Sequence, residues 1–108
     1  MLLQFGSKLD HFIVYEVFST RKEAVADFRA TPGSKGDVHV AVSGSLPRPS
    51  WAKNNALVGI SGVSYVDGTV LVLVGVVWTR TMEQGSLSVA TSLARIAENH
   101  LAQARAKA

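Results

Sequence analysis

The sequence predicts an α+β fold: an antiparallel sheet of four to five strands, in the element order β-α-β-β-β-α, with two helices packed on one face. Three observations carry this. Residues 56–78 hold two long runs of β-forming residues joined by Asp67-Gly68, a dipeptide suited to a two-residue hairpin turn. Apolar residues recur at helical spacing after Thr20 and again from Ser86 or Ser88 onward. Between those helices the β elements follow one another directly, which favours antiparallel pairing over a doubly wound parallel sheet.

Taken in order, residues 1–5 form a short apolar run, an optional first strand, cut off by Gly6-Ser7. Residues 12–18 are aromatic and β-branched and, apart from Glu16, apolar on both alternating faces, which reads as a central strand. Thr20 and Glu23 have the spacing of a capping box, so a short helix follows with Ala24, Val25 and Phe28 as its buried stripe. Thr31-Pro32-Gly33 ends it, because proline disfavours helix in the residue before it. Val38, Val40 and Val42 alternate with His39, Ala41 and Ser43, the pattern of a strand with one lightly covered face. Residues 44–55, with Pro47, Pro49 and Trp51, read as a long loop.

The hairpin register read from an Asp67-Gly68 turn sets Tyr65 opposite Val70, Val63 opposite Val72, Ser61 opposite Val74, Gly59 opposite Val76 and Leu57 opposite Trp78. Val66, Ile60, Val58, Leu71, Leu73 and Val77 lie on the other side. Both faces of the ribbon are apolar and both need cover. The last helix carries Val89, Leu93, Ile96, Ala97, Leu101 and Ala104 on one stripe and Arg95, Glu98, Asn99 and Gln103 on the other side. Its alanines allow close approach to a sheet.

A chain of 108 residues suits one domain, 1–108, and 47% hydrophobic against 18% charged residues argues for a packed core and against disorder. The longest uncharged stretch is broken by Asp67-Gly68, so it reads as a hairpin and no membrane span is expected. Residues 1–3 are too short for a signal-peptide core and lack a basic leader. The compartment stays open, with the cytoplasm as default. With no cysteine, disulfides, thiolate catalysis, iron–sulfur clusters and Cys-based zinc sites are all excluded. The net charge of +3 is a mild bias toward anions. The sheet lacks the glycine and aromatic pattern of RNA-recognition motifs and neither helix has a basic stripe, so no specific nucleic acid is expected.

Chemistry is sparse. His11, His39 and His100 are isolated from one another and from carboxylates at ligand spacing, so no metal and no cofactor are expected. Gly59-Ile60-Ser61-Gly62 is not a nucleophile elbow, and Gly33-Ser34-Lys35-Gly36 lacks phosphate-loop spacing. Gly59 and Gly75 read as sites of relieved crowding or close approach. Glu16, between Tyr15 and Val17, is the one candidate catalytic group, on the argument that an apolar strand would desolvate it. The competing reading opens its face to water or pairs it with Arg21 or Lys22. Tyr15, Glu16, Trp51 and Trp78 are the candidate ligand-binding residues; for Trp51 the competing reading is an aromatic folded back over the sheet.

The element order resembles, in topology alone, small α+β ligand- and protein-binding domains. The expected function is a non-catalytic homo-oligomeric binding module, most simply a two-fold dimer, for a small apolar ligand or a protein segment beside the sheet. A cofactor-independent enzyme of isomerase, cyclase or monooxygenase type, with an apolar pocket around Glu16, is the alternative. A purely structural oligomerisation domain is the third reading.

Overall fold

The computed structural model describes residues 2–5, 10–42, 44–77 and 83–107. Strands β1 (Leu2–Phe5) and β2 (Asp10–Val17) precede helix α1 (Arg21–Ala30); β3 (Asp37–Val40), β4 (Ser50–Asn55), β5 (Ile60–Asp67) and β6 (Val70–Val77) precede helix α2 (Glu83–Lys107). The strands form one antiparallel sheet in the order β1-β2-β6-β5-β4-β3. The α+β class, the antiparallel sheet and the two helices are as the sequence predicts. Trp78 lies outside the described residues.

The sheet has six strands, not four or five. The added one is β4, inside the segment read as a loop; its backbone pairs along its whole length with β5. Residues 56–59 are a turn and not the start of the hairpin. Asn55 makes it: its Oδ1 accepts the N–H of Leu57 (3.0 Å) and Val58 (3.3 Å), while the Gly59 N–H returns to Asn55 O (2.9 Å). Gly59 has φ +70°, which glycine alone adopts without strain.

The β5–β6 register is shifted by two residues from the expected one. Asp67 pairs with Val70, so the turn residues are Gly68 and Thr69. Gly68 has φ +61° and, among the described residues, no non-glycine residue has positive φ, the signs of a type II′ turn with glycine first. Asp67 is thereby left in the strand, where its carboxylate meets Arg105 of α2 (Oδ1 to Nη1, 2.6 Å). A slip of two preserves the face of every side chain, so the two apolar faces stand as read.

The expected packing of both helices on one face is not found; each face receives one helix. On the first, Ala90, Ala94 and Ala97 of α2 are fully buried against Val63, Tyr65, Val72, Val74 and Val76, with Ile13, Ala52 and Leu46 completing the core. Alanines bring the helix close, as expected, but Ala90 and Ala94 lie outside the predicted stripe, and Ile96 and Ala104 within it are exposed. On the second face, Ala24, Val25 and Phe28 of α1, together with Phe18, cover Val66 and Leu71. The Thr20 hydroxyl caps α1 by accepting the Glu23 N–H at 3.2 Å.

Length explains the asymmetry. The 25 residues of α2 span about 37 Å and the 10 of α1 only about 15 Å, while an eight-residue strand runs about 26 Å. The α2 face is therefore roofed along the whole length of β5 and β6, with Val17 and Val38 at its margins left exposed, and the other face only at one end.

Candidate functional site

The uncovered part of the α1 face is built around two glycines. Cross-strand pairing sets Phe12 beside Gly75, Gly75 beside Gly62, Gly62 beside Lys53 and Lys53 beside His39, one row across five strands. With no side chains in the middle of that row, neighbouring rings settle onto the backbone. The Phe12 ring lies over Gly75, where a Cβ would overlap it (Cε1 2.5 Å, Cε2 2.8 Å), and the Trp51 ring lies against Gly62 (Cζ3 3.3 Å from a built Cβ). Close approach, the role read for Gly75 from sequence, is what it provides, with Gly62 facing it where the register read from an Asp67-Gly68 turn would place Ile60.

Between the two rings lies a hollow of about 210 Å³, walled by Phe12, Trp51, Ile60, Leu73 and Val58, with the polar side chains of Asp37, Lys53 and Asn55 along one side. These three form a closed network. Asp37 Oδ2 accepts the Ser34 N–H (2.8 Å) and Lys53 Nζ (2.9 Å), and its Oδ1 accepts Asn55 Nδ2 (2.8 Å). The Ser34 N–H, then Lys53 and Asn55, hold the Asp37 carboxyl down to about 2. Lys53 Nζ also sits 4.5 Å from the Trp51 ring centroid, a cation–π contact, and His39 meets that ring edge-on at 6.4 Å.

Trp51 stands on the sheet as a partition. It borders the main hollow, a second of about 120 Å³ shared with Val14, Glu16, Asp27, Ser64 and Leu71, and a third beside Phe28, Arg29 and Pro32. Glu16 thus sits at the rim of the second hollow with its side chain exposed, so the desolvation argued for it from sequence is absent. Its position explains this: β1 pairs with β2 only as far as Val14, leaving residues 15–17 without a β1 neighbour among the described residues. Tyr15 points to the opposite face, packing against the α2 core. Of the residues singled out from sequence, Trp51 and Glu16 share one side of the sheet and Tyr15 does not.

Tyr15 belongs instead to an ionisable cluster at the α2 end of the hairpin. Glu98, assigned from sequence to the outer side of α2, turns inward to Tyr65 and Asp67. Burial first, then its hydrogen bond with Asp67, raises its carboxyl to about 7. Asp67 is lowered, chiefly by that same hydrogen bond and then by Arg105. Burial and the nearby Glu98 raise both tyrosines. Arg105 closes the cluster by donating to Asp67 O at 2.8 Å.

Sequence reasoning missed the Asp37–Lys53–Asn55 network and Glu98. For the first, the polar run Lys53-Asn54-Asn55 opposite an aspartate was a usable signal only if β3 and β4 were paired. Among the described residues, no three His, Asp or Glu side chains group as metal ligands, and no helix is long and apolar enough to cross a membrane. Comparison of the chain with protein-family models, curated proteins and solved structures finds no match.

Proposed function

We propose that the chain is a non-catalytic binding module that takes a small apolar ligand in the hollow between Phe12 and Trp51 and acts as a homodimer. The hollow itself carries the reading: an apolar, ring-walled space over a glycine floor, on the one sheet face that its helix is too short to roof. Its volume sets the class of ligand. About 150 Å³ of dry apolar cavity accommodates benzene, so about 210 Å³ suits a single substituted ring or one inserted side chain and not a drug-sized molecule. The enzymatic alternative has less support, because Glu16 is exposed at the rim of a separate, smaller hollow.

Self-association is supported by the apolar rim. Leu57, Val58 and Val77 are exposed near the mouth of the hollow, and covering such side chains gains up to about 1.5–3 kcal/mol each. Titration with toluene followed by amide NMR tests the ligand reading: saturable shifts confined to the surroundings of Phe12, Trp51, Gly62 and Gly75 are expected. Absent shifts, or shifts spread over the exposed Val17 and Val38 remote from the hollow, refute it. Light scattering after size exclusion at micromolar concentration tests the dimer, which a persistent single-chain mass refutes.

A further inference from the structure

We infer that the hollow selects uncharged single-ring molecules and discriminates against ring compounds bearing a full charge of either sign, because the one cation and the one anion in its polar wall neutralise each other. This rests on the reading that the hollow binds an apolar ligand, and adds what that ligand must lack.

The wall contains one cation and one anion, and they are spent on each other. Lys53 Nζ and Asp37 Oδ2 are 2.9 Å apart, with side chains 20% and 10% exposed. A carboxylate approaching Lys53 meets the Asp37 charge at nearly the same range, and an ammonium approaching Asp37 meets Lys53. The opposed contributions largely cancel, leaving the desolvation of the incoming charge uncompensated. With Asp37 held far below the usual carboxylate range, its carboxylate keeps its charge beside Lys53 down into mild acid.

Asp37, Asn55 and Lys53 also spend most of their hydrogen-bonding capacity within the network. Asn55 Nδ2 spends its two protons on Asp37 Oδ1 and Lys35 O (3.0 Å), and Asn55 Oδ1 accepts from Leu57 and Val58. Asp37 accepts three hydrogen bonds. Lys53 spends one proton on Asp37 and directs its charge over the Trp51 ring, so at most a single weak donor faces the ligand. Affinity must come from the ring contacts of Phe12, Trp51, Ile60 and Leu73.

Three probes sharing one ring separate the ideas: benzyl alcohol, benzoate and benzylammonium, each titrated into the full chain with the Gly62 and Gly75 amides as readout. Benzyl alcohol is expected to bind saturably and both ions at least roughly tenfold more weakly. Asp37→Asn leaves the Lys53 charge uncompensated and should raise the ratio of benzoate to benzyl alcohol affinity about tenfold; Lys53→Met should do the same for benzylammonium. Lys53→Met removes only one of the three donors to Asp37, so it remains informative if Asp37→Asn fails to fold. Either ion binding the unaltered protein as tightly as benzyl alcohol overturns the selection while leaving the binding reading intact. Folded variants with unchanged ratios also overturn it. Binding of none of the three overturns the binding reading itself.

Discussion

The contact of Phe12 with Gly75 predicts a strongly non-additive pair of substitutions. Phe12 is half-buried, so truncation to alanine should cost about 2 kcal/mol, below the 3–5 of a fully buried phenylalanine. Gly75→Ala alone should gain about 0.5 kcal/mol from the lower chain entropy of alanine in a strand. Its methyl would nevertheless overlap the Phe12 ring, and expelling that ring forfeits most of the ring's burial, for a net loss of about 1 kcal/mol. Once Phe12 is alanine the clash has no partner, and Gly75→Ala becomes neutral or mildly stabilising. The two changes should therefore couple by about 1.5 kcal/mol, with the double variant more stable than the singles imply. Urea unfolding of the four proteins at one fixed concentration, followed by far-UV circular dichroism, measures this, with equal m-values confirming a common transition. Additivity within about 0.5 kcal/mol would show that the ring does not rest on the glycine, and the reasoning about the floor of the hollow would fall.

Two further outcomes are expected. Gly68→Val places a β-branched residue at φ +61° with its Cβ 3.0 Å from Arg105 Nη2, and should destabilise by about 1–2 kcal/mol in thermal or urea unfolding; an unchanged midpoint would contradict the turn assignment. Glu98 has its folded pKa raised from 4.5 to about 7, so the folded state favours its protonated form: that contribution is complete below pH 4.5, declines as pH rises and is gone above about 7. Glu98→Gln should flatten the loss of stability between pH 4.5 and 7, about 1–2 kcal/mol once solvent screening is allowed for, and an identical slope in both proteins would place the titration elsewhere.

What the sequence made legible depended on period and not on register. The alternation in β5 and β6 assigns every side chain to its face, and an error of two residues in the turn leaves those faces intact. The cap at Thr20 and the alanine stripe of α2 are likewise local signals. By contrast β4 is hidden, because Lys53, Asn54 and Asn55 have little strand propensity of their own and become a strand only by pairing with β5. The site inherits that gap. Opposing Gly62 to Gly75 requires the true register, and uniting Asp37 with Lys53 and Asn55 requires the β3–β4 pairing. Helical spacing ranks Glu98 with Arg95 and Asn99 on the wet side of α2, while the buried Tyr65 beneath draws it inward.

The brevity of α1 has a kinetic consequence. Its anchorage rests on Ala24 and the partly buried Val25 and Phe28, while α2 buries three alanines against five strand residues. Amides of β5 and β6 are therefore expected to exchange with solvent only on global unfolding, and those of α1 by undocking of the helix alone. Thr31, at the end of α1, borders all three hollows around Trp51, so the same excursion widens their mouths. If the hollow binds a guest as proposed, truncation of Val25 or Phe28 should shorten the guest's residence time while the α2-clad half of the molecule holds its shape.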